Sequence, residues 1–277
     1  MADAARGARP DTSDLITGLG RAFAGALLFA LPMLMTMELW DLGHVMPPLR
    51  LALLCALTLP LLVRLSRLGG LRPTASILDD LADALVAVAV AALAALVILF
   101  VFGVIDAGSS PREILGKVAI QTVPGAIGAM LARNQLGESQ DQMDEAGATY
   151  FGELFLMAVG ALFLSLNIAP TDEVFVIAYA MDPWRQLALL GLSVAMLHGF
   201  VFSFGFRGAE GGRPHEGFWS LLVRFTFPGY ALAVAVSLYA LWSFGRLEGH
   251  ALEEALGAVI VLSFPGALGA AAARVVL

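Results

Sequence analysis

The chain has little charge. Only 14% of its 277 residues are charged, whereas 59% are hydrophobic and the mean hydropathy is +0.82. A soluble domain usually carries about 25% charged residues, so this composition is not that of a typical water-soluble domain. We therefore expect an integral membrane protein that lies in a lipid bilayer.

Reactive and metal-binding residues are scarce as well. The chain has one cysteine, Cys55, and four scattered histidines, of which only His198 falls inside an apolar stretch. One cysteine can form neither an internal disulfide nor a cysteine-based zinc site, and we interpret His198 as a satisfied core residue. No GxSxG, HExxH, P-loop or paired-carboxylate motif occurs. We expect no catalytic site, no metal and no cofactor.

Clusters of basic residues are also absent. The 16 basic residues are nearly all arginines and are scattered singly. The sequence therefore lacks both the basic footprint of a nucleic-acid-binding protein and a polybasic lipid anchor. The net charge of -7 arises from acids in short connections, notably from Glu138 to Glu145. We expect no nucleic-acid partner.

Long apolar stretches are abundant, and eight of them are about long enough to span a bilayer, which takes about 20 helical residues. They are Leu19 to Leu42, Pro48 to Leu65, Ile77 to Ile105, Glu113 to Ala132, Phe151 to Ile168, Trp184 to Phe206, Phe218 to Trp242 and Leu252 to Val275. The second and fourth carry charge at an end, so a tilted or partly re-entrant segment is the alternative for those two. Residues 1–17 are polar, lack a signal-peptide cleavage site, and predict a flexible tail.

The distribution of basic residues predicts an orientation. With eight spans, both termini and the even-numbered loops lie on one side, which holds eleven of the 16 arginines and lysines, against five on the other. Because arginine and lysine are enriched in cytoplasmic loops, we expect both termini in the cytoplasm. An odd number of spans would remove this partition.

An internal repeat relates the two ends of the span pattern. PGAIGAMLAR, from Pro124 to Arg133, matches PGALGAAAAR, from Pro265 to Arg274, at seven of ten positions and 141 residues apart. Weaker echoes follow in the same order. They pair Ala24 to Phe29 with Phe151 to Leu156, Pro48 to Leu54 with Pro183 to Leu190, and Phe102-Gly103 with Phe244-Gly245.

The repeat predicts an all-α membrane fold of two four-helix repeats, residues 18–136 and 149–277. An acidic cytoplasmic linker, residues 137–148, joins them. Four spans per repeat is an even number, so both repeats enter the membrane in the same sense. We expect a pseudo-two-fold axis along the membrane normal.

Four stretches also carry a resemblance. RAFAGALLFALPMLMTMELW, DDLADA, KVAIQTVPGAIGAMLAR and LNIAPTDEV resemble an uncharacterised bacterial family of multi-pass integral membrane proteins. The resemblance covers nearly the whole chain and implies a bacterial inner-membrane location. It implies no activity, so candidate sites have to be argued from the residues.

The paired Pro-Gly segments indicate an ion pathway. Proline removes a helical donor and frees a carbonyl, and matched helix breaks in two repeats are typical of transporter sites. Close packing of small residues is the alternative. The predicted pathway residues are Gln121, Thr122, Pro124, Gly125, Ser263, Pro265 and Gly266.

Acidic residues near the ends of spans are candidates for pore mouths. These are Glu38, Asp79, Asp80, Asp83, Asp172 and Glu173. The alternatives are an interfacial acid for Glu38, helix capping after Ser76 for the three that open the third span, and a solvated turn for the last two. The 141-residue offset also places Asp83 opposite Arg224, which predicts an interhelical charge pair.

Two functions remain open at this point. Duplicated spans, matched helix breaks and acids at both faces favour a channel or transporter for cations or protons, which we expect to be a homo-oligomer. The alternative is a non-transporting receptor, assembly or partner-binding protein, for which the acidic loop GESQDQMDE would be the contact.

Overall fold

The computed structural model describes residues 12–69, 76–136, 149–204 and 217–276, and within these ranges the chain forms helices and no strand. The predicted acidic linker lies outside the described residues. The helices are α1 (Thr12–Leu34), α2 (Met37–Val45), α3 (Pro48–Gly69), α4 (Ile77–Val101), α5 (Pro111–Leu136), α6 (Tyr150–Ile168), α7 (Glu173–Ala180), α8 (Pro183–Phe204), α9 (Phe218–Ser243) and α10 (Leu252–Val276).

Eight of these helices are long and apolar enough to span a membrane, as predicted. The second and fourth predicted spans, α3 and α5, are full-length helices of 22 and 26 residues. The two remaining helices, α2 and α7, have nine and eight residues and were not predicted. The order long, short, long, long, long therefore occurs twice along the described chain.

The first span differs from its predicted bounds. Its helix begins at Thr12, inside the predicted tail, and ends at Leu34, and α2 follows as a separate short helix. Pro32 lacks a donor, and Thr36 adopts an extended conformation while its hydroxyl donates to the Pro32 carbonyl at 2.6 Å. The predicted continuous helix to Leu42 is wrong because this turn ends α1 before Glu38.

One helix is central in each half of the chain. α5 packs against α1, α2, α3 and α4, and α10 packs against α6, α7, α8 and α9. Glycines allow the closest crossings, since a Cβ at Gly128 would clash with the Gly25 carbonyl and a Cβ at Gly269 with the Gly160 carbonyl. These crossings hold the backbones of α1 and α5, and of α6 and α10, in contact.

Two helices end in the same kind of cap. After α4, Gly103 has φ 70°, and after α9, Gly245 has φ 72°. A positive φ is a conformation that glycine adopts without steric cost. The backbone hydrogen bonds also match, since the N–H of Val104 donates to Leu99 and the N–H of Arg246 donates to Leu241.

Candidate functional site

The two Pro-Gly segments lie in the two most buried spans. Within the 18-residue apolar stretch of each span, 67% of the residues are buried in α5 and 61% in α10. In the other spans the buried share ranges from 22% to 44%. Pro124 is buried and Pro265 is half-buried. Most of the surface of both segments therefore faces protein, as a site inside the membrane requires.

Both central helices continue through their prolines. α5 and α10 are continuous helices of 26 and 25 residues. Because proline has no N–H, the carbonyls of Ile120 and Val261, four residues earlier, lose their helical donor. The predicted interruption amounts to one missing hydrogen bond in each helix.

A hydroxyl precedes each proline by two residues. Thr122 donates to the Val118 carbonyl at 2.7 Å, and Ser263 donates to the Ile260 carbonyl at 2.8 Å. Both side chains are buried. Each hydroxyl proton is thus held by its own helix, which leaves the oxygen lone pairs to accept other donors.

Gln121 joins α5 to the end of α1. Its Nε2 donates to the Met33 carbonyl at 3.0 Å, and its side chain is only 1% exposed. Its Oε1 is buried and has no hydrogen-bond partner among the described residues. An unsatisfied buried acceptor costs about 1–3 kcal/mol, so this oxygen is suited to bind a cation or a water molecule.

A second polar cluster surrounds Gly266 in the other half. The hydroxyls of Ser165 and Ser237 lie 3.3 Å apart, and a Cβ on Gly266 would come within 3.1 Å of the Ser165 oxygen. Tyr230 lies 2.9 Å from Ser263 and can donate to it, because the Ser263 proton is already bound. Sequence reasoning found Ser263 and Gly266 but missed the other three residues. Isolated hydroxyls within apolar spans were the available signal.

Among the hydrogen bonds of the described residues, none joins the side chains of the two Pro-Gly segments. Gln121 bonds to α1, whereas Ser263 bonds to α9 and to its own helix. Apolar residues of both segments, including Val123 and Leu262, belong to one buried cluster. That both segments line one ion pathway stays a prediction.

The acids at the start of α4 have structural partners. The Ser76 hydroxyl accepts from the Asp79 N–H and lies 2.9 Å from its carboxylate, which confirms the predicted cap. Asp80 is 2% exposed and pairs with Arg67 at 2.6 Å, and Asp83 is 4% exposed. These carboxylates are mostly enclosed by protein, so their role as a vestibule stays a prediction.

The acids at the opposite end occupy the first turns of α2 and α7. Glu38 is half-buried in α2, and Glu173 is exposed in α7. Asp172 pairs with Arg246, which also lies over the Phe175 ring. Asp172 and Glu173 thus lie at the turn that begins α7, where the Arg246 side chain contacts Asp172. This arrangement agrees with the alternative of a solvated turn.

The sequence predicts a charge pair between Asp83 and Arg224. Arg224 is exposed in a π-helical turn, Leu222–Thr226, and its guanidinium lies 5.8 Å from the centre of the Phe225 ring. Asp83 lies in α4, in the other half of the chain. This pair stays a prediction.

His198 lies in the core, as the sequence indicated, but only one of its ring nitrogens is satisfied, since its buried Nε2 has no hydrogen-bond partner among the described residues. Its Nδ1 lies 2.8 Å from the Thr226 hydroxyl, and its side chain is 6% exposed. Thr226 ends the π-helical turn of α9, where the N–H of Phe227 reaches the Leu222 carbonyl. The contact fastens α8 to this turn.

The comparisons agree with an integral membrane protein. The family model described as "Putative integral membrane protein (DUF2391)" matches residues 18–277. No curated protein and no solved structure matches the chain.

Proposed function

The chain belongs to the family of integral membrane proteins whose model it matches over residues 18–277, and from that premise we propose that it is a channel or transporter for small cations or protons. The proposed pathway runs past the Pro-Gly segments of α5 and α10. It starts and ends at the acids near the two membrane faces, where negative charge raises the local concentration of cations.

One observation carries this proposal. The Oε1 of Gln121 is a buried acceptor with no partner among the described residues, and it lies one residue from Ile120, whose carbonyl has lost its helical donor to Pro124. Oxygens of this kind replace the hydration shell of a cation in known selectivity sites.

In this proposal the described conformation is a closed state. The side chains of Gln121 and Ser263 are 1% and 0% exposed. A solute therefore passes only when α5 or α10 moves, and a proline within a helix is a place where bending costs least. Transport through this site is gated in the proposal.

Reconstitution into liposomes tests the proposal directly. Purified protein is placed in vesicles loaded with K⁺, Na⁺ or a pH dye, and flux is followed after a gradient is imposed. Flux of at least one cation or of protons above that of empty vesicles is expected. Absence of flux for all of them under a range of membrane potentials would reject transport and favour the receptor or assembly function.

We further propose that the chain is a duplicated four-plus-four protein with parallel halves. Offsets of 135 residues between α1–α3 and α6–α8, 142 between the ends of α4 and α9, and 141 between α5 and α10 relate the halves. The offset changes only in the connections between helices, where insertions are tolerated.

Local contacts support these offsets. Thr36 donates to the Met33 carbonyl at 3.2 Å, and Thr171, which is 135 residues later, donates to the Ile168 carbonyl at 2.9 Å. Thr58 donates to Leu54 at 2.7 Å, and Ser193 donates to Leu189 at 2.7 Å. The two matched glycine caps and the two glycine crossings described above obey the same offsets.

The glycine crossings also favour one register for the first helices. Gly25 meets Gly128, and Gly160 meets Gly269, so Gly25 corresponds to Gly160. The sequence pairing of Ala24 with Phe151 is eight residues out of this register. The better pairing aligns Gly25-Ala26-Leu27 with the identical Gly160-Ala161-Leu162.

The location follows from the same premise. We propose the bacterial inner membrane, with both termini in the cytoplasm, because eleven of the 16 basic residues lie on the side of the termini.

The receptor or assembly function has one observation in its favour. Several helices touch through their backbones, as where Cβ atoms at Gly43 or Gly116 would clash with the facing helix. Such contacts indicate a rigid bundle. Rigidity suits a scaffold, whereas a gated pathway requires helices that can move.

A further inference from the structure

Two spans, one in each half of the chain, carry a buried amide oxygen that lacks a partner among the described residues. Gln121 of α5 donates through Nε2 to the Met33 carbonyl at 3.0 Å, and Asn167 of α6 donates through Nδ2 to the Phe163 carbonyl at 2.6 Å. These bonds hold both amide groups in place. The oxygens, Oε1 of Gln121 and Oδ1 of Asn167, therefore remain as fixed acceptors inside the protein.

The first spans of the two halves, α1 and α6, run side by side in the same direction. Nearer their beginnings, Ala26 of α1 shares a buried cluster with Leu156 of α6. Nearer their ends, Met33 of α1 shares a second buried cluster with Leu166 of α6. Because the shared clusters advance along both helices together, α1 and α6 are parallel neighbours.

A ring contact sets which turns of α1 and α6 face each other. The ring centres of Phe29 and Phe163 lie 4.6 Å apart. Met33 and Asn167 each follow one of these phenylalanines by four residues, which is about one helical turn along the same face. In parallel helices that next turn brings Asn167 toward Met33, whose carbonyl binds the Gln121 amide. The two amides thus approach the same turn of α1, one from α5 and one from α6.

The surroundings of this turn are apolar. Ile120 and Leu166, the residues before the two amides, belong with Met33 to one buried cluster. The Ile120 carbonyl has also lost its helical donor to the proline of α5, so a third oxygen is available in the same turn of that helix. In such an environment a positive ion interacts strongly with these oxygens, and leaving them without any partner is costly.

The pair occurs once in the chain. At the 141-residue offset Gln121 corresponds to Leu262, and at the 135-residue offset Asn167 corresponds to Pro32. Neither counterpart carries an amide. Two amides from opposite halves, each without an amide counterpart, therefore form a single site between the halves rather than one site in each half.

We propose that Gln121 and Asn167 together bind one monovalent cation, Na⁺ or K⁺, as it passes between the halves. The inference rests on the proposed function and specifies its substrate. Amide oxygens replace the hydration shell of such an ion as the carbonyl oxygens of K⁺-channel filters do. Amides do not take up or release a proton near neutral pH, so the pair has no carrier for protons. Calcium and magnesium sites use carboxylates, which the pair lacks.

A bridging water molecule is the other occupant that two acceptors can hold. One water molecule donates only two hydrogen bonds, whereas the two amides and the Ile120 carbonyl offer three oxygens. The two occupants also differ in how they respond to salt. A bound cation stabilises the folded protein more as its concentration rises, and a bound water molecule does not distinguish one salt from another.

Thermal unfolding of the purified full chain in detergent tests the site. The midpoint is measured in NaCl, KCl and N-methylglucamine chloride at constant ionic strength, and Na⁺ or K⁺ is expected to raise it. Asn167→Leu and Gln121→Leu are each expected to raise the half-saturating cation concentration by about tenfold or more. Gln186→Leu, on an amide of α8 that donates to the Met181 carbonyl, is the matched control and is expected to behave as the wild type.

A charged variant keeps the test decisive if Asn167→Leu does not fold. Asn167→Asp retains an oxygen ligand and adds negative charge, so it is expected to lower the half-saturating cation concentration. Wild-type cation dependence in Asn167→Asp, or in a folded Asn167→Leu protein, would overturn the site. Equal midpoints in the three salts would also overturn it and would assign the two oxygens to a bridging water molecule.

Flux into liposomes separates failure of this site from failure of the proposed function. Asn167→Leu is expected to lower the flux of Na⁺ or K⁺, and Gln186→Leu is expected to retain it. Undiminished cation flux through Asn167→Leu, or flux of protons alone, would overturn this site and leave transport intact. Cation-dependent stabilisation without any flux would reject transport and support the cation site.

Discussion

At the scale of single residues, glycine contacts set how closely the helices approach. A Cβ at Gly160 would clash with the Gly269 carbonyl, whereas a Cβ at Gly199 in α8 would meet no atom within 4 Å. We expect Gly160→Ala to destabilise the protein by about 1–3 kcal/mol, because backbone has to move. Gly199→Ala is expected to change stability by at most about 0.5 kcal/mol. Thermal unfolding in detergent compares them, and equal midpoints would contradict the crossing.

Arg50 and Arg185 form a second matched pair of residues. Arg50→Met removes the hydrogen bond to the Trp242 carbonyl and is expected to cost about 1–2 kcal/mol. The ion pair with Glu248 adds little, since that carboxylate is 65% exposed. Arg185, at the corresponding position of α8, is 69% exposed, so Arg185→Met is expected to leave the unfolding midpoint unchanged. A larger loss from Arg185→Met than from Arg50→Met would contradict this difference between the two arginines.

At the scale of helices, parallel halves make a prediction about accessibility. Leu49 and Trp184 occupy corresponding positions at the starts of α3 and α8 and are 81% and 80% exposed. In a Cys55→Ser background, Leu49→Cys and Trp184→Cys are expected to react with an impermeant thiol reagent from the same side, opposite the termini. Labelling from opposite sides would show inverted halves.

The sequence predicted the helices better than it predicted their ends. Spans are recognisable because their length and hydropathy must match the bilayer whatever surrounds them. The helices α2 and α7 were missed because each continues an apolar stretch, and only the extended Thr36 and the turn before Glu173 separate them from a span. Such turns depend on local hydrogen bonds that hydropathy does not report.

The candidate site was predictable only in part, for a similar reason. Pro124, Gly125 and their repeats were found because proline and glycine affect the conformation of the backbone whatever surrounds them. Ser165, Ser237 and Tyr230 depend on which face of an apolar helix meets Gly266, and no charge or motif marks that face. The contact of Gln121 with α1 depends on the crossing of two helices, and its partner Met33 lies 88 residues away in the sequence.

At the scale of the whole molecule, orientation is decided by charge. Reporter domains fused before Met1 and after Leu277 are expected to be active only as cytoplasmic reporters, because eleven of 16 basic residues lie on that side. A fusion after residue 148, in the linker between the halves, is expected to behave the same way. Opposite signals from the two termini would require an odd number of spans.

Flux through a Gln121→Leu variant is the measurement that tests the proposed function most directly. The substitution removes a buried oxygen that has no partner among the described residues, along with one hydrogen bond, so stability is expected to stay nearly constant while flux falls by about tenfold or more. Thr58→Val, which removes a buried hydroxyl that donates to the Leu54 carbonyl of its own helix, is the control and is expected to retain flux. Undiminished flux through a folded Gln121→Leu protein would contradict a pathway past this residue.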